Sequence, residues 1–268
     1  MANHILGPLY FERMGRTGRP VLMVHPNPMD QSTWIYQMAH LSTWYRCVAV
    51  DIPGYGRSPR AQDGLTLDDI ATACWEALDE AIPDAEPAIV MGCSVGSLLG
   101  MRMCRLRPER AAALVQCGTG HWEPGGLDVG QKRIREYRRF GIDYRYDYTF
   151  QDFSAGFRTT QMAHYFAGMF RERNPSSDLE SIIRQFEAFE PLTAAQLSEI
   201  KCPSLILTGS EDSAHALAFP LQEKIPGCEL HVLPGAGHAC HMEQPWLFDR
   251  LLLEFLQRHG LFTPTRAA

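Results

Sequence analysis

Short apolar runs alternate with longer amphipathic stretches through the first half of the chain, and that alternation sets the fold class. The runs at 21–24, 47–50, 88–91 and 112–115 are short and carry no polar face. Strands covered on both sides look like this. Helical patterns fill the gaps. One spans 66–81, with Thr66 placed to cap it and Asp68 and Asp69 in its first turn; a second spans 95–107 and is rich in Leu and Met. A β-α-β-α order predicts a parallel sheet with helices on both faces. The order lapses near Gly118 and resumes with runs at 204–207 and 230–233, followed by an amphipathic stretch at 246–259. The stretch between has no strand core. It is rich in aromatic and charged residues up to Tyr146, then shows helical patterns at 158–173 and 179–189. The reading is one α/β core, 1–119 and 199–268, interrupted by a helical insertion at 120–198. The last residues, 263–268, read as a frayed tail.

Gly92-Cys93-Ser94-Val95-Gly96 is a GxSxG, and it lies between an apolar run and a helical pattern. A sharp strand-to-helix turn would lift the Ser94 hydroxyl above the sheet edge. Side chains two positions away on either side would collide there, which suits glycine. The N-terminus of the following helix favours developing negative charge. A serine hydroxyl needs a base. His238 follows the run at 230–233 through Pro-Gly-Ala-Gly, and Asp212 follows the run at 204–207. All three therefore fall at carboxyl ends of strands, in the order Ser, Asp, His. Glu211 adjoins Asp212 and competes with it for the acid.

Taken together these features resemble the α/β-hydrolase superfamily over nearly the whole chain. The helical insertion stands where that family carries a cap, and Asp51-Ile52-Pro53-Gly54-Tyr55-Gly56-Arg57-Ser58 is similar to its DxxGxGxS turn. The resemblance implies an α/β-hydrolase fold, a mostly parallel central sheet flanked by helices, and a triad of Ser94, Asp212 and His238. It favours Asp212 over Glu211. The family usually has His-Gly before the residue whose N–H holds the oxyanion. Here the loop reads His25-Pro26-Asn27-Pro28, so the expected donors are the backbone N–H groups of Asn27 and Val95. His-x-Asn-Pro followed by Trp34 is similar to the loop of haloalkane dehalogenases, where the Asn side chain helps hold halide. A serine at the nucleophile position argues against that reaction, and the Asn27 side chain is left open between ligand contact and a turn-stabilising bond. His25 reads as structural.

The expected chemistry is hydrolysis of a small carboxylic ester or lactone through an acyl-enzyme on Ser94. One alternative is carbon–carbon hydrolysis of a ring-fission diketo acid of aromatic catabolism, for which a cap arginine such as Arg158 would hold the substrate carboxylate. A second is a ligand-sensing protein with slow hydrolase activity. Trp34, Arg158, His164 and Tyr165 are the candidate substrate-binding residues, and the insertion's aromatics and methionines suggest an apolar or aromatic small molecule. His241 lies near His238, but with no third ligand apparent and no HExxH it reads as a packing histidine; no metal and no cofactor are expected.

The 268 residues are 45% hydrophobic and 21% charged, with a net charge of −6 spread along the chain. No basic face suits nucleic acid, and no apolar run is long enough to suggest a membrane partner. Residues 1–14 lack the features of a signal peptide. The eight cysteines are scattered and mostly in apolar stretches, which reads as reduced thiols of a cytoplasmic protein. A homodimer is compatible with the sequence.

Overall fold

The computed structural model describes residues 7–172 and 178–263. The strands are β1 (Phe11–Met14), β2 (Pro20–Val24), β3 (Arg46–Val50), β4 (Ala88–Ser94), β5 (Ala111–Thr119), β6 (Ser204–Gly209) and β7 (Glu229–Leu233). They form one seven-stranded sheet in the order β1-β3-β2-β4-β5-β6-β7. Only the β1–β3 pair is antiparallel. The helices are α1 (Ile35–Leu41), α2 (Leu67–Ala81), α3 (Val95–Leu106), α4 (Gly126–Phe140), α5 (Tyr144–Gln151), α6 (Gln161–Glu172), α7 (Leu179–Glu187), α8 (Ala194–Ser198), α9 (His215–Lys224), α10 (Cys240–Glu243) and α11 (Pro245–Arg258). The predicted fold class and most predicted elements match within a few residues. The pattern expected to reach 173 is helical over α6, and 173 lies outside the described residues, as does 264–268 of the expected tail.

Alternating side chains send the central strands into two cores. Leu22, Val24, Val48 and Val50 pack on the face shared with α2 and α3. Val21, Met23, Cys47 and Ala49 pack on the opposite face, with Leu252 and Phe255 of α11. This two-residue period inside unbroken apolar runs is what burial on both faces requires. Two elements had no such signal. β1 is an edge strand with charged, exposed Glu12 and Arg13, a pattern that discourages further pairing. α4 contains Lys132, Arg133, Arg135, Arg138 and Arg139, so its narrow buried stripe of Gly130, Ile134 and Tyr137 is hidden by charge. At α2 the predicted cap is realised in both directions: Thr66 Oγ1 accepts from Asp69 N–H at 3.1 Å, and Asp69 Oδ2 accepts from Thr66 N–H at 2.9 Å.

The chain leaves β2 for β3 on one side and later returns to β4 on the other. The carboxyl ends of β2 and β4 therefore flank the point where strand order reverses, where an open parallel sheet leaves a crevice. Backbones approach so closely there that glycine is obligatory. A Cβ on Gly96 would lie 2.1 Å from Val24 O and 3.0 Å from His25 O. Gly96→Ala is expected to destabilise the fold by at least about 3 kcal/mol, because backbone rather than a flexible side chain must yield. Gly168→Ala in α6 meets nothing within 4 Å and should be neutral or mildly stabilising. Urea midpoints of the two variants, measured side by side, check this.

Candidate active site

β4 ends at Ser94, whose φ of 55° and ψ of −117° lie outside the ordinary regions for a residue with a side chain. Such a conformation costs on the order of 1–3 kcal/mol and persists only where the surroundings enforce it. Here the close approach at Gly92 and Gly96 enforces it: a Cβ on Gly92 would fall 2.1 Å from Gly96 O. Val95 then starts α3, so its N–H is one of the helix's unpaired first-turn donors beside the serine.

His238 stands across a shared cavity from this turn. Its Nδ1 lies 2.8 Å from Asp212 Oδ1, which also accepts from Ala214 N–H at 2.8 Å. The Asp212 side chain is fully buried. Burial alone would raise Asp212 and lower His238. Their mutual charge and hydrogen bond outweigh it, holding the carboxyl below its ordinary value and the imidazole well above 6.5. Glu211 points elsewhere, accepting from Ala155 N–H at 2.8 Å.

The β2–α1 loop carries Asn27 to the same cavity. Its foundation is His25, fully buried, with Nε2 accepting from Ile52 N–H at 3.0 Å. That bond leaves the proton on Nδ1, which donates to Pro26 O at 2.9 Å. Burial pushes the imidazole down to about 4, so it stays neutral. Below it, Asp51 accepts from the N–H groups of Gln31 and Arg57, each at 2.9 Å, and Ser58 Oγ donates to Asp51 O at 2.5 Å. The Asp51–Ser58 turn thus braces the loop rather than reaching the cavity. The Asn27–Pro28 peptide is cis. The Asn27 side-chain oxygen is buried without a partner among the described residues.

The insertion between β5 and β6 closes the cavity from above. Arg145 of α5, buried, donates from Nε to Pro28 O at 2.9 Å. The segment after α5 is fastened to the histidine loop. His238 N–H donates to Asp152 O at 2.8 Å. Glu243 accepts from the Ser154 and Gly237 N–H groups at 3.2 and 3.0 Å. Sequence reasoning assigned no role to Arg145, Asp152 or Glu243, because each acts through contacts between segments remote in the chain. The cavity measures about 740 Å³, counting its open mouth. Leu98, Val129, Tyr148, Phe186 and Phe189 give it an apolar wall, and Arg133 and Asp152 are its charged residues. Burial pushes the Asp152 carboxyl up to about 7, against the opposing pull of His238 and Arg133.

Asn27, Ser94, Val95 and His238 line this cavity and Asp212 stands behind His238, whereas the four residues expected to bind substrate do not line it. Trp34 is fully buried on the other face of the sheet, its ring tilted 35° and 4.3 Å from the His241 ring. Arg158 sits in the short turn Phe157–Thr159. His164 is exposed and bonded to Tyr146 Oη at 3.0 Å, and Tyr165 is 62% exposed. The inward face belongs to α4 and α7 rather than α6. In α4 the spacing of Gly126, Val129, Gly130 and Arg133 was the available signal.

Comparison with known proteins agrees with this architecture. A family model described as the alpha/beta hydrolase family matches residues 21–247. A 2-hydroxy-6-oxononadienedioate/2-hydroxy-6-oxononatrienedioate hydrolase 2 of Pseudomonas putida is 27% identical over 270 residues, covering 93% of this chain and 91% of its own. A pimeloyl-(acyl-carrier protein) methyl ester esterase of Sodalis glossinidius is 26% identical over 273 residues, covering 93% and 98%. Among solved structures, an enol-lactonase from Burkholderia xenovorans LB400 superposes with a TM-score of 0.83 at 23% identity, covering 93% of this chain and 96% of that one.

Proposed function

The chain belongs to the alpha/beta hydrolase family, and from that premise we propose that it is a serine hydrolase cleaving a small carboxylic ester or lactone through an acyl-enzyme on Ser94. The observation that carries this reading is the Asp212–His238 pair facing the same cavity as the strained Ser94 turn. His238, oriented by Asp212, takes the Ser94 proton as Oγ adds to the carbonyl. The backbone N–H groups of Asn27 and Val95 receive the oxyanion. The imidazolium then protonates the leaving oxygen, and water, activated by the same imidazole, releases the acid. The apolar wall suits an apolar or aromatic acyl or alcohol group. The helices between β5 and β6 act as its cap.

The second reading, carbon–carbon hydrolysis of a diketo acid, needs a cation for the substrate carboxylate. Arg133, rather than Arg158, is the cap cation at the cavity. It is already engaged: Nη1 donates to Tyr144 Oη at 2.7 Å and Glu136 Oε2 at 3.1 Å, and the guanidinium lies 3.7 Å over Tyr148. With its Nη1 already bonded to Tyr144 and Glu136, Arg133 has fewer donors left for a second anion, which favours the uncharged ester. Both the esterase and the carbon–carbon hydrolase relatives keep the two readings in contention. Steady-state kinetics on aryl esters against a vinylogous diketo acid decide between them. The expected result is an ester preference of at least about 100-fold in kcat/KM, with Arg133→Leu changing ester turnover by less than about five-fold. A preference for the diketo acid that collapses in Arg133→Leu would replace the first reading with the second.

A further inference from the structure

We propose that Cys93, Cys117 and His241 form a binding site for one thiophilic d10 cation, of which Zn²⁺ is the probe, in the core beneath the nucleophile turn. The ligand atoms of the three residues lie within 4.8 Å of one another, and all three residues are buried. Among the described residues no other three His, Cys, Asp or Glu side chains converge in this way. The sequence reading set His241 aside for want of a third ligand. The sheet supplies the missing partners: Cys93 on β4 and Cys117 on β5 are register neighbours on adjacent parallel strands. Both project to the α11 face of the sheet.

The histidine is set up to ligate. Thr33 Oγ1 lies 2.8 Å from His241 Nε2, with Met242 Sδ at 2.9 Å and Met29 Sδ at 3.5 Å as further neighbours. In the tautomer protonated at Nε2, that hydroxyl accepts the Nε2–H and donates to a thioether, and the Nδ1 lone pair faces Cys117 Sγ at 3.6 Å. Trp34, packed at a tilt against the imidazole, restricts its rotation. Two thiolates and an imidazole select soft and borderline cations over Mg²⁺ or Ca²⁺. Tetrahedral zinc with bonds of about 2.3 Å to sulfur needs ligand separations of about 3.8 Å, so the triangle has only to tighten by roughly 1 Å at most. Loading exchanges two thiol protons for the cation, leaving two thiolates and M²⁺ with no net charge, which burial tolerates. The site lies one residue from Ser94, and Cys93 Sγ is 3.9 Å from His238 O. An ion there would tie β4 and β5 to the α10 segment that follows the catalytic base.

The test is the full chain expressed in zinc-supplemented medium and purified without chelator. Elemental analysis should find about one zinc per chain. X-ray absorption on the same sample should show at least two sulfurs at about 2.3 Å and one nitrogen at about 2.0–2.1 Å. Cys117→Ser should lower zinc content at least ten-fold, and Cys228→Ser, at a thiol on another face, should not. If Cys117→Ser does not fold, the wild-type spectrum still decides. Zinc below about a tenth of an equivalent, a shell of oxygen and nitrogen without sulfur, or equal content in Cys117→Ser would each overturn the site and leave a hydrogen-bonded thiol–imidazole packing cluster.

Discussion

Ser94→Ala is expected to lower kcat/KM for every ester the wild type cleaves by about 10⁴–10⁶-fold, with an unfolding midpoint close to the wild-type value. The size of the loss follows from what the hydroxyl does. Without it no acyl-enzyme forms, and only binding and the oxyanion donors remain to accelerate attack by water. The proposed donors, the backbone N–H groups of Asn27 and Val95, are untouched by the substitution. The fold survives because the turn's geometry is enforced by Gly92 and Gly96, not by the hydroxyl: alanine meets the same φ of 55° that serine does. Stopped-assay kinetics with denaturant unfolding on the same preparation separate the two effects. Mass spectrometry after a fluorophosphonate adds a second readout, with one adduct expected on Ser94 and none in Ser94→Ala. An adduct on the wild type without turnover of any substrate in a broad ester and lactone panel would move the protein to the ligand-sensing alternative. Full turnover retained in Ser94→Ala would end the acyl-enzyme mechanism.

What could be read in advance follows the range of the interactions. Buried parallel strands announce themselves by unbroken apolar runs, so β2 to β6 were legible; β7, a half-exposed edge strand, kept a partial run at 230–233, whereas β1 pairs through its backbone at an exposed edge and leaves no apolar mark. The places of Ser94, Asp212 and His238 past strand ends were legible because each sits in a short local motif. The cavity wall was not. Its composition depends on how α4 and α7 rotate over the sheet, and that rotation is set by contacts between distant segments, such as Arg145 on Pro28 O and Glu243 on Ser154 N–H. Helical spacing on α6 was a real pattern, but the face chosen from it, with His164 and Tyr165, is exposed, and the buried face of Ala163, Phe166 and Phe170 packs against Met29 and Met242. Trp34 illustrates the same limit: position after the loop suggested substrate contact, yet the side chain turns to the opposite face and holds His241. The thiol–imidazole cluster was invisible for a related reason, since only strand register brings Cys93 and Cys117 side by side.

Asp212→Asn is expected to lower kcat by about 10⁴-fold, the cost of losing the carboxylate that orients and charges the imidazole. Glu211→Gln should stay within a few-fold, because Glu211 bonds Ala155 N–H rather than His238. The two variants thus settle the choice of acid left by adjacent carboxyls. The pH dependence supplies an independent signature. His238 is held well above 6.5 and must be neutral to act as base, so the wild-type rate should fall as pH drops through that raised value. The neutral amide of Asp212→Asn cannot stabilise the imidazolium, and the limb should move to lower pH even as the plateau collapses. Stability carries the opposite sign. The raised His238 contributes stability that is fully present below about 6.5 and is lost as pH rises through its folded value. The lowered Asp212 contributes stability present above its unfolded value of about 3.8 and lost as pH falls through its folded one. The stability gap between wild type and Asp212→Asn should therefore be widest between about pH 4 and 6.5 and narrow above it. Urea unfolding at a series of pH values measures that gap. A gap that widens with rising pH, or an unshifted rate limb in Asp212→Asn, would mean that another group holds the histidine, with Asp152, whose carboxyl is itself pushed up to about 7 beside it, the first to examine.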